Sequence, residues 1–371
     1  METEARIADE PVDQALRGWF GPLLRHGTLW CAPNLETRCA FLRVGDREFP
    51  LTVNDREWEN SWVCSPYTHY VSYAREEVTR AMPGAIGIPF ALLLSGLGAW
   101  FRAARLNQVV MVNNWLMSTN PWPDEEPVWL KKGIEALQRR WPDHALVFRS
   151  LNGKENPALL EALRRSGARL IPSRQIWWFD PRSDRVLHSR DLRKDARLLQ
   201  RNDLQRIRHE EFRESDFPRL AFLYEDLYGN KYSRHNPRYT AEWLHHLWEG
   251  NHLRFTALRE ETGRIAGVEA CGLIHGVMVS PIVGYDLQVS RDAGLYRRLA
   301  AIPVLEARKL GVPLNLSAGV GRFKALRGGE PIMESIAVID SHLPIGRRVP
   351  WRFIEGLSRG LLAPVVRRLK L

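Results

Sequence analysis

The chain has 371 residues, of which 44% are hydrophobic and 26% charged, a balance typical of a globular protein with a substantial core. The length favours two domains, and the net charge of +10 favours anionic partners. Its four cysteines lack a Cys-x-x-Cys spacing, which favours free thiols over a disulfide framework or a zinc site. The acidic residues 1–6 do not resemble a secretory signal, so we expect a cytoplasmic protein.

The first half of the chain predicts strands followed by one very apolar segment. A hairpin is predicted over residues 39–53, and aromatic and β-branched residues predict a second strand pair over residues 58–74. Residues 83–101 are the most apolar stretch, but their prolines and glycines argue against a helix that spans a membrane. We expect a buried helix there, with a helix lying in the membrane interface as the alternative.

A polar cluster follows the strand predicted over residues 108–117. Pockets of α/β sheets lie at such strand ends, whereas turn chemistry accounts for the same residue types without any site. Both interpretations stay open. The candidates for substrate binding in this cluster are Asn114, Ser118, Thr119 and Asn120.

The order of predicted elements repeats along the chain. Helix, strand, helix and strand are predicted over residues 128–180, and helix, strand, loop and strand over residues 295–339. This repetition predicts two related domains, residues 1–182 and 183–345. Residues 346–371 would then form a C-terminal tail.

The region from residue 253 to 339 carries the most specific pattern. Three antiparallel strands are predicted up to residue 289, then a helix over 295–310 and a short strand over 313–318. A loop over 319–329 and a final strand follow, and the loop places cations among glycines: Arg322, Lys324 and Arg327.

This succession resembles the C-terminal half of a GNAT-superfamily acyltransferase. The pair Phe323-Lys324 followed by glycines is similar to the Fem peptidyltransferase branch, whose members carry two GNAT-like domains. The resemblance implies an α+β, mixed α/β fold with two GNAT-like domains, each a mixed, centrally antiparallel sheet flanked by helices. One departure lies in residues 290–295, where a single glycine and an aspartate replace the glycine-rich loop of GNAT enzymes that use coenzyme A.

The resemblance implies an N-acyltransferase that moves an acyl group from acyl-CoA or acyl carrier protein to a primary amine. The acceptor would be a small molecule or a lipid amine, and no permanently bound cofactor or metal is expected. Aminoacyl-tRNA is the alternative donor, as in the Fem branch. A non-catalytic protein that binds membrane surfaces is the third hypothesis.

The same resemblance assigns roles in the glycine-flanked loop. Lys324 would polarise the acyl carbonyl or stabilise the charge that develops in the transition state. Phe323 would form a wall for the acyl group. Arg322 and Arg327 are suited to hold phosphate, because a guanidinium pairs with it in a bidentate manner.

Two carboxylates interrupt the apolar strands of this half, and such groups are either paired or functional. Glu269 and Asp286 are therefore candidates to accept the amine proton or to bind the ammonium group. Tyr285 lies on the opposite strand face from Asp286, so only one of the two can line a site. The polar loop of residues 230–239 adds Lys231 and His235 as candidates for substrate binding.

The excess of positive charge lies in two segments. Residues 185–208 hold eight cations against three anions, and residues 347–370 hold seven against one. Solvated helix faces explain each segment alone, while tRNA or an anionic membrane surface explains their concentration. The tail from residue 351 predicts a basic amphipathic helix, which lies either on a membrane at its inner face or on its own domain.

Overall fold

The computed structural model describes residues 4–76 and 87–362. Its strands all belong to one mixed sheet of 12 strands. In chain order they are β1 (Ala5–Ala8), β2 (Arg38–Val44), β3 (Arg47–Asn54), β4 (Val109–Val112), β5 (Ala145–Leu151), β6 (Arg169–Phe179), β7 (Gln205–Ile207), β8 (Arg254–Arg259), β9 (Ile265–Ile274), β10 (Val277–Tyr285), β11 (Leu314–Asn315) and β12 (Glu330–Ile339).

The spatial order of the strands is symmetric about the centre of the sheet. It runs β1-β2-β3-β4-β5-β12-β6-β11-β10-β9-β8-β7. Two pairs are parallel, β4 with β5 and β10 with β11, and the other neighbours are antiparallel. Each half of the chain therefore has the same strand order, and the last strands of the two halves, β6 and β12, are exchanged at the centre.

The predicted fold class, a mixed and centrally antiparallel α+β architecture flanked by helices, is confirmed. The two expected sheets form a single sheet, because β12 pairs with both β5 and β6. The domain boundaries predicted near residue 182 and residue 345 stay a prediction.

Helices cover both faces of the sheet. Leu220 and Leu223 pack with Trp243 on one face, whereas Leu299 and Val304 pack on the other. The helices used below are α1 (Gln14–His26), α2 (Gly87–Ala103), α3 (Leu130–Arg140), α4 (Pro157–Arg165), α5 (Asp184–Leu187), α6 (Arg190–Leu199), α7 (Phe217–Glu225), α8 (Ala241–Glu249), α9 (Leu295–Leu310), α10 (Gly321–Leu326) and α11 (Ile345–Leu357).

Two predicted elements have a different structure. Residues 58–74 form turns and a helical segment instead of strands, because Ser65 caps the helix through its hydroxyl at 3.0 Å from the Thr68 N–H, and Pro66 is the first helical residue. Residues 319–329 contain the short helix α10, so Lys324 lies on a helix and not in a loop.

The apolar segment of residues 83–101 is largely the helix α2, and residues 83–86 lie outside the described part of the chain. The expectation of a buried helix is wrong, because Leu92 and Leu93 point into solvent. Among the described residues, no helix is both long and apolar enough to cross a membrane. In the predicted tail, α11 docks through Trp351 and Ile354, and residues 363–371 lie outside the description.

Candidate active site

A wedge-shaped cleft opens where β10 and β11 separate. The two strands pair over only two residues, beginning at Met278 and Leu314. A bulge that begins after Val279 leads β10 away along β9. The chain after β11 instead continues along β6, where the Leu316 N–H donates to the carbonyl oxygen of Trp177 at 3.0 Å. The strands therefore diverge at one point of the sheet.

The cleft encloses a cavity of about 260 Å³. One wall comes from α7 and the π-helical turn Asp226–Tyr232, and another from α9. The floor includes β6 and residues of the first half, Trp62 and Ser118 among them. Both halves of the chain thus contribute to a single site.

Lys324 reaches this cavity from α10 and is only 5% exposed. Its Nζ donates to the carbonyl oxygens of Leu316 at 2.6 Å and Ala318 at 2.7 Å, with the Ser317 carbonyl at 3.4 Å. Among the described residues, no carboxylate lies within ion-pair distance of it. Burial, aided by the nearby Arg174 cation, lowers the pKa of Lys324 to about 7.

Arg174 places a second cation at the floor of the cleft. It extends from β6, and its Nε donates to Glu334 at 2.7 Å while its Nη2 donates to the Ser118 carbonyl oxygen at 2.6 Å. Its guanidinium carbon lies 5.5 Å from the ring centroid of Trp62. The indole N–H of Trp62 in turn donates to Asn236 at 2.9 Å, so the cation and the ring have fixed positions.

Glu269 contacts the cleft only through a hydroxyl group. It is fully buried, and the Oγ of Ser280, which lines the cavity, donates to it at 2.8 Å. The thiol of Cys271 also interacts with this carboxyl group. Burial raises the pKa of Glu269 to about 8, so the carboxyl is largely protonated at neutral pH.

Asp286 lies outside the cleft. It follows the end of β10 and is bound by Arg264 and by Arg219 at 2.7 Å, and it accepts the Gln288 N–H at 2.9 Å. Although burial opposes it, the hydrogen bonds from Gln288 and Arg219 lower its pKa. Asp286 and Glu269 therefore do not share one groove, and Arg219 and Arg264 neutralise Asp286.

The other predicted residues of α10 and its end do not line the cavity. Arg327 forms an internal ion pair with the buried Asp195 at 2.5 Å, and its guanidinium lies on the ring of Phe323. Phe323 packs behind Tyr296, whose ring lines the cleft. Arg322 is exposed outside the cavity. A phosphate role for Arg327 has no support in this arrangement, since its guanidinium is engaged within the protein.

In the polar cluster after β4, some residues form turns and others lie at the cleft. Asn114 and Asn120 are buried in turns, where Asn114 donates to Thr52 at 2.8 Å and Asn120 accepts the Trp115 N–H at 3.0 Å. Ser118 lines the cleft. Turn chemistry thus accounts for both asparagines. Thr119 lies beside the cleft, and its hydroxyl accepts from Arg174 at 3.2 Å.

The candidates of the 230–239 loop lie around the cleft and not in its lining. The Nζ of Lys231 is 5.7 Å from the ring centroid of Tyr285 and equally far from that of Tyr232, which does line the cavity. His235 acts through its backbone, because its carbonyl oxygen accepts the Trp62 N–H at 3.1 Å. This bond between backbone groups helps to hold Trp62 in place beside the cleft.

The sequence analysis did not identify three features of the cleft, namely its tyrosine-rich walls, the indole of Trp62 and the guanidinium of Arg174. Six of the nine tyrosines of the chain line the cavity. Their spacing was the available signal, because residues 224, 228 and 232 are four apart and share one helical face. The six are Tyr73, Tyr224, Tyr228, Tyr232, Tyr239 and Tyr296.

The arrangement suits proton transfer near neutral pH beside an aromatic binding surface. Lys324 exchanges a proton close to pH 7, Arg174 favours negative charge, and Ser280 offers a hydroxyl. The described residues that line the cavity include no carboxylate. Across the described part of the chain, no group of His, Cys, Asp and Glu side chains has the geometry of a metal site.

Comparisons with known proteins return only solved structures of low sequence identity. No family model and no curated protein matches the sequence. A tandem GNAT protein from the clavulanic acid biosynthesis pathway matches over 91% of this chain and 98% of its own, with 12% identity and a TM-score of 0.41.

Two further matches cover the same share of their own chains. FemX matches over 61% of this chain and 78% of its own, with 9% identity and a TM-score of 0.46. A domain assigned to a lysylphosphatidylglycerol synthetase from Agrobacterium fabrum matches over 63% and 78%, with 14% identity and a TM-score of 0.42. A tandem GNAT protein and FemX are thus among these structures.

Proposed function

We propose that this protein is an N-acyltransferase that moves an acyl group from an activated donor to a primary amine. The observation that carries the proposal is the buried Lys324, held by backbone carbonyls at the apex of a cleft between two diverging parallel strands. A lysine whose pKa is about 7 is present in both protonation states at neutral pH. The aromatic lining suits an acyl chain or an acceptor with an apolar part.

In the proposed reaction, the amine attacks the acyl carbonyl, the new C–N bond forms, and the bond to the donor breaks. The sulfur or oxygen of the donor leaves with the bonding electron pair and takes up a proton, which gives a free thiol or hydroxyl group. Neutral Lys324 accepts the proton that the amine loses, because its two N–H groups satisfy the short contacts to Leu316 and Ala318, and only the long contact of 3.4 Å to the Ser317 carbonyl has no N–H in this form. Arg174 favours the negative charge that develops at the carbonyl oxygen.

The test is transfer measured by mass spectrometry with a panel of amines, using acyl-CoA and aminoacyl-tRNA as donors. Lys324→Met should lower the rate by about 100-fold or more, the range expected for the loss of a proton-transfer group. Lys309→Met, on an exposed part of α9, should leave the rate unchanged. Full activity of Lys324→Met, with unchanged folding, would overturn the proposal.

For the donor, we propose aminoacyl-tRNA over acyl-CoA. In the turn before α9, the backbone N–H groups already donate to acceptors within the turn. The N–H of Asp292 donates to the Ser290 hydroxyl at 3.3 Å, and that of Ala293 donates to the Ser290 carbonyl at 3.1 Å. The N–H of Gly294 donates to the Arg291 carbonyl at 3.0 Å. A pyrophosphate needs such groups unbound. This closed turn disfavours coenzyme A.

A basic ridge on α6 and directly after it supports the same donor. Its cations are exposed, whereas Asp195 is buried against Arg297 and Arg327. The helix therefore presents positive charge outward beside α9, which suits a polyanion. The ridge consists of Arg190, Arg193, Lys194, Arg197 and Arg201.

Salt-dependent retention of aminoacyl-tRNA tests the donor. Arg193→Gln with Arg197→Gln should weaken binding about tenfold at low salt and reduce the slope of log K against log salt by about 2. Lys131→Gln with Arg139→Gln on α3 removes the same charge elsewhere and should change binding by less than about twofold. Transfer from acetyl-CoA without tRNA binding would reject this donor and keep the acyltransferase.

A further inference from the structure

The helix α11 carries a stripe of exposed apolar residues. Ile345 is 71% exposed, Val349 41%, Phe353 40% and Leu357 39%. These positions are four residues apart, so they follow one another along a single face of the helix. The opposite face is already buried through Trp351. Packing of α11 onto its own sheet therefore leaves a second apolar face that is largely exposed.

The helix α2 extends this stripe. Leu92 is 67% exposed and Leu93 61%, and the Trp100 ring of the same helix lies 5.6 Å from the ring of Phe353. Monomeric proteins rarely expose such apolar residues in one contiguous group. We call this surface the apolar platform; it consists of Leu92, Leu93, Ile345, Val349, Phe353 and Leu357.

The charge on α2 and α11 is mainly positive, although Arg102 also lies beside Glu57 and Glu59. Arg102, Arg105, Arg352 and Arg359 are exposed on these helices or directly after them. The only acidic residue within α2 and α11 is Glu355, which binds Arg169 at 3.3 Å and Arg359 at 3.0 Å. An apolar stripe with a cationic rim matches the acyl and phosphate layers of an anionic bilayer.

We propose that the apolar platform docks the protein onto an anionic lipid bilayer, with α2 and α11 lying in the plane of the interface. The leucines and Phe353 enter the acyl boundary, and the arginines contact lipid phosphates. Charge complementarity favours this occupant over a second copy of the chain, because two cationic rims repel each other. This docking does not depend on the proposed acyl transfer.

Vesicle co-sedimentation of the full chain tests the docking. Vesicles of phosphatidylcholine with about a quarter phosphatidylglycerol should bind the protein, and pure phosphatidylcholine should bind it at least about fivefold more weakly. Leu92→Ser with Leu93→Ser, and separately Val349→Ser with Phe353→Ser, should each weaken binding about tenfold or more. These side chains are exposed, so circular dichroism should show unchanged folding.

Leu273→Ser with Leu310→Ser is the matched control, since both leucines are exposed outside the apolar platform. This control should bind within about twofold of the wild type. Equal binding by wild type and platform variants, or no binding to the anionic vesicles, would overturn the proposal. A dimer that the platform variants convert to a monomer, without lipid binding, would assign the surface to a second copy instead.

Discussion

The two halves of the sheet have the same strand order, but the space at the ends of their parallel strands is filled in one half and open in the other. In the first half, β4 and β5 pair over four residues, and the polar cluster then fills the gap: Asn120 donates its N–H to the Ser150 hydroxyl at 3.0 Å. The cavity beside Arg149 and Ser150 is about 20 Å³, room for about one water. In the second half, the corresponding cavity is about 260 Å³.

The difference shows that strand order alone does not make a site. The first half closes its strand ends with buried hydrogen bonds, whereas the second half leaves a cavity and turns three carbonyl groups towards Lys324. Trp62 and Arg174 line both cavities, so residues of the first half help to form the cleft of the second half. The predictions below test what keeps one half closed and the other open.

The largest expected effect is on the pH dependence of transfer in the open half. If neutral Lys324 accepts the amine proton, the rate falls about tenfold for each pH unit below its pKa of about 7, or about 100-fold at pH 5. Single-turnover rates from pH 5 to 9, with folding checked by circular dichroism, measure this. A rate that falls as pH rises would instead require the ammonium form.

The next largest effect concerns the wall of the open cleft. A Cβ at Gly284 on β10 would lie 2.6 Å from the backbone of Leu223 and of Tyr224 on α7. Gly284→Ala should therefore lower the free energy of unfolding by about 3 kcal/mol, because backbone atoms must move. Urea unfolding measures the change. Gly346→Ala, where a Cβ meets nothing within 4 Å, should not destabilise the protein.

Opening the closed half should have a smaller effect. The Asn114 amide donates to Thr52 at 2.8 Å and to the Val63 carbonyl at 3.0 Å, and both groups are buried. Asn114→Ala should lower the free energy of unfolding by about 2 kcal/mol, since the former partners lose their donor. Ser118→Ala removes a hydroxyl beside the open cavity and should change stability by less than about 0.5 kcal/mol. Equal losses for the two would contradict the comparison.

The last prediction concerns the change of stability with pH. Burial raises the folded pKa of Glu269 to about 8 from 4.5, so the folded state holds a proton that the unfolded state releases. Its contribution to stability is complete below pH 4.5 and is lost as pH rises through about 8, on the order of 1 kcal/mol per pH unit. Glu269→Gln should flatten this decline in denaturant titrations from pH 5 to 8.

Local pattern predicted most of the second half. The helix over residues 295–310 and the three antiparallel strands before it were found because apolar periodicity and glycine boundaries are local signals. Lys324 was identified from its neighbours in sequence, and the structure places it in the cleft. Its role stays a proposal.

Long-range pairing could not be predicted in the same way. The ion pair with Arg219 explains why Asp286 lies in an apolar strand region. Local pattern could not predict this pair, because Arg219 is 67 residues away in sequence and contacts Asp286 only in the fold. Arg174 joins the cleft because β6 is exchanged into the second half. The polar residues after β4 predicted a pocket or a turn equally well, and only the three-dimensional arrangement decides between them.

The exchange of β6 and β12 also governs when this protein can complete its folding during translation. The centre of the sheet consists of β12 between β5 and β6, so those two strands lack a neighbour until residues 330–339 have left the ribosome. A nascent chain in which β12 has not yet emerged exposes two unpaired strand edges, which are sites of aggregation. Synthesis of β12 therefore closes the molecule, and a ribosome that stalls before residue 330 leaves both halves open.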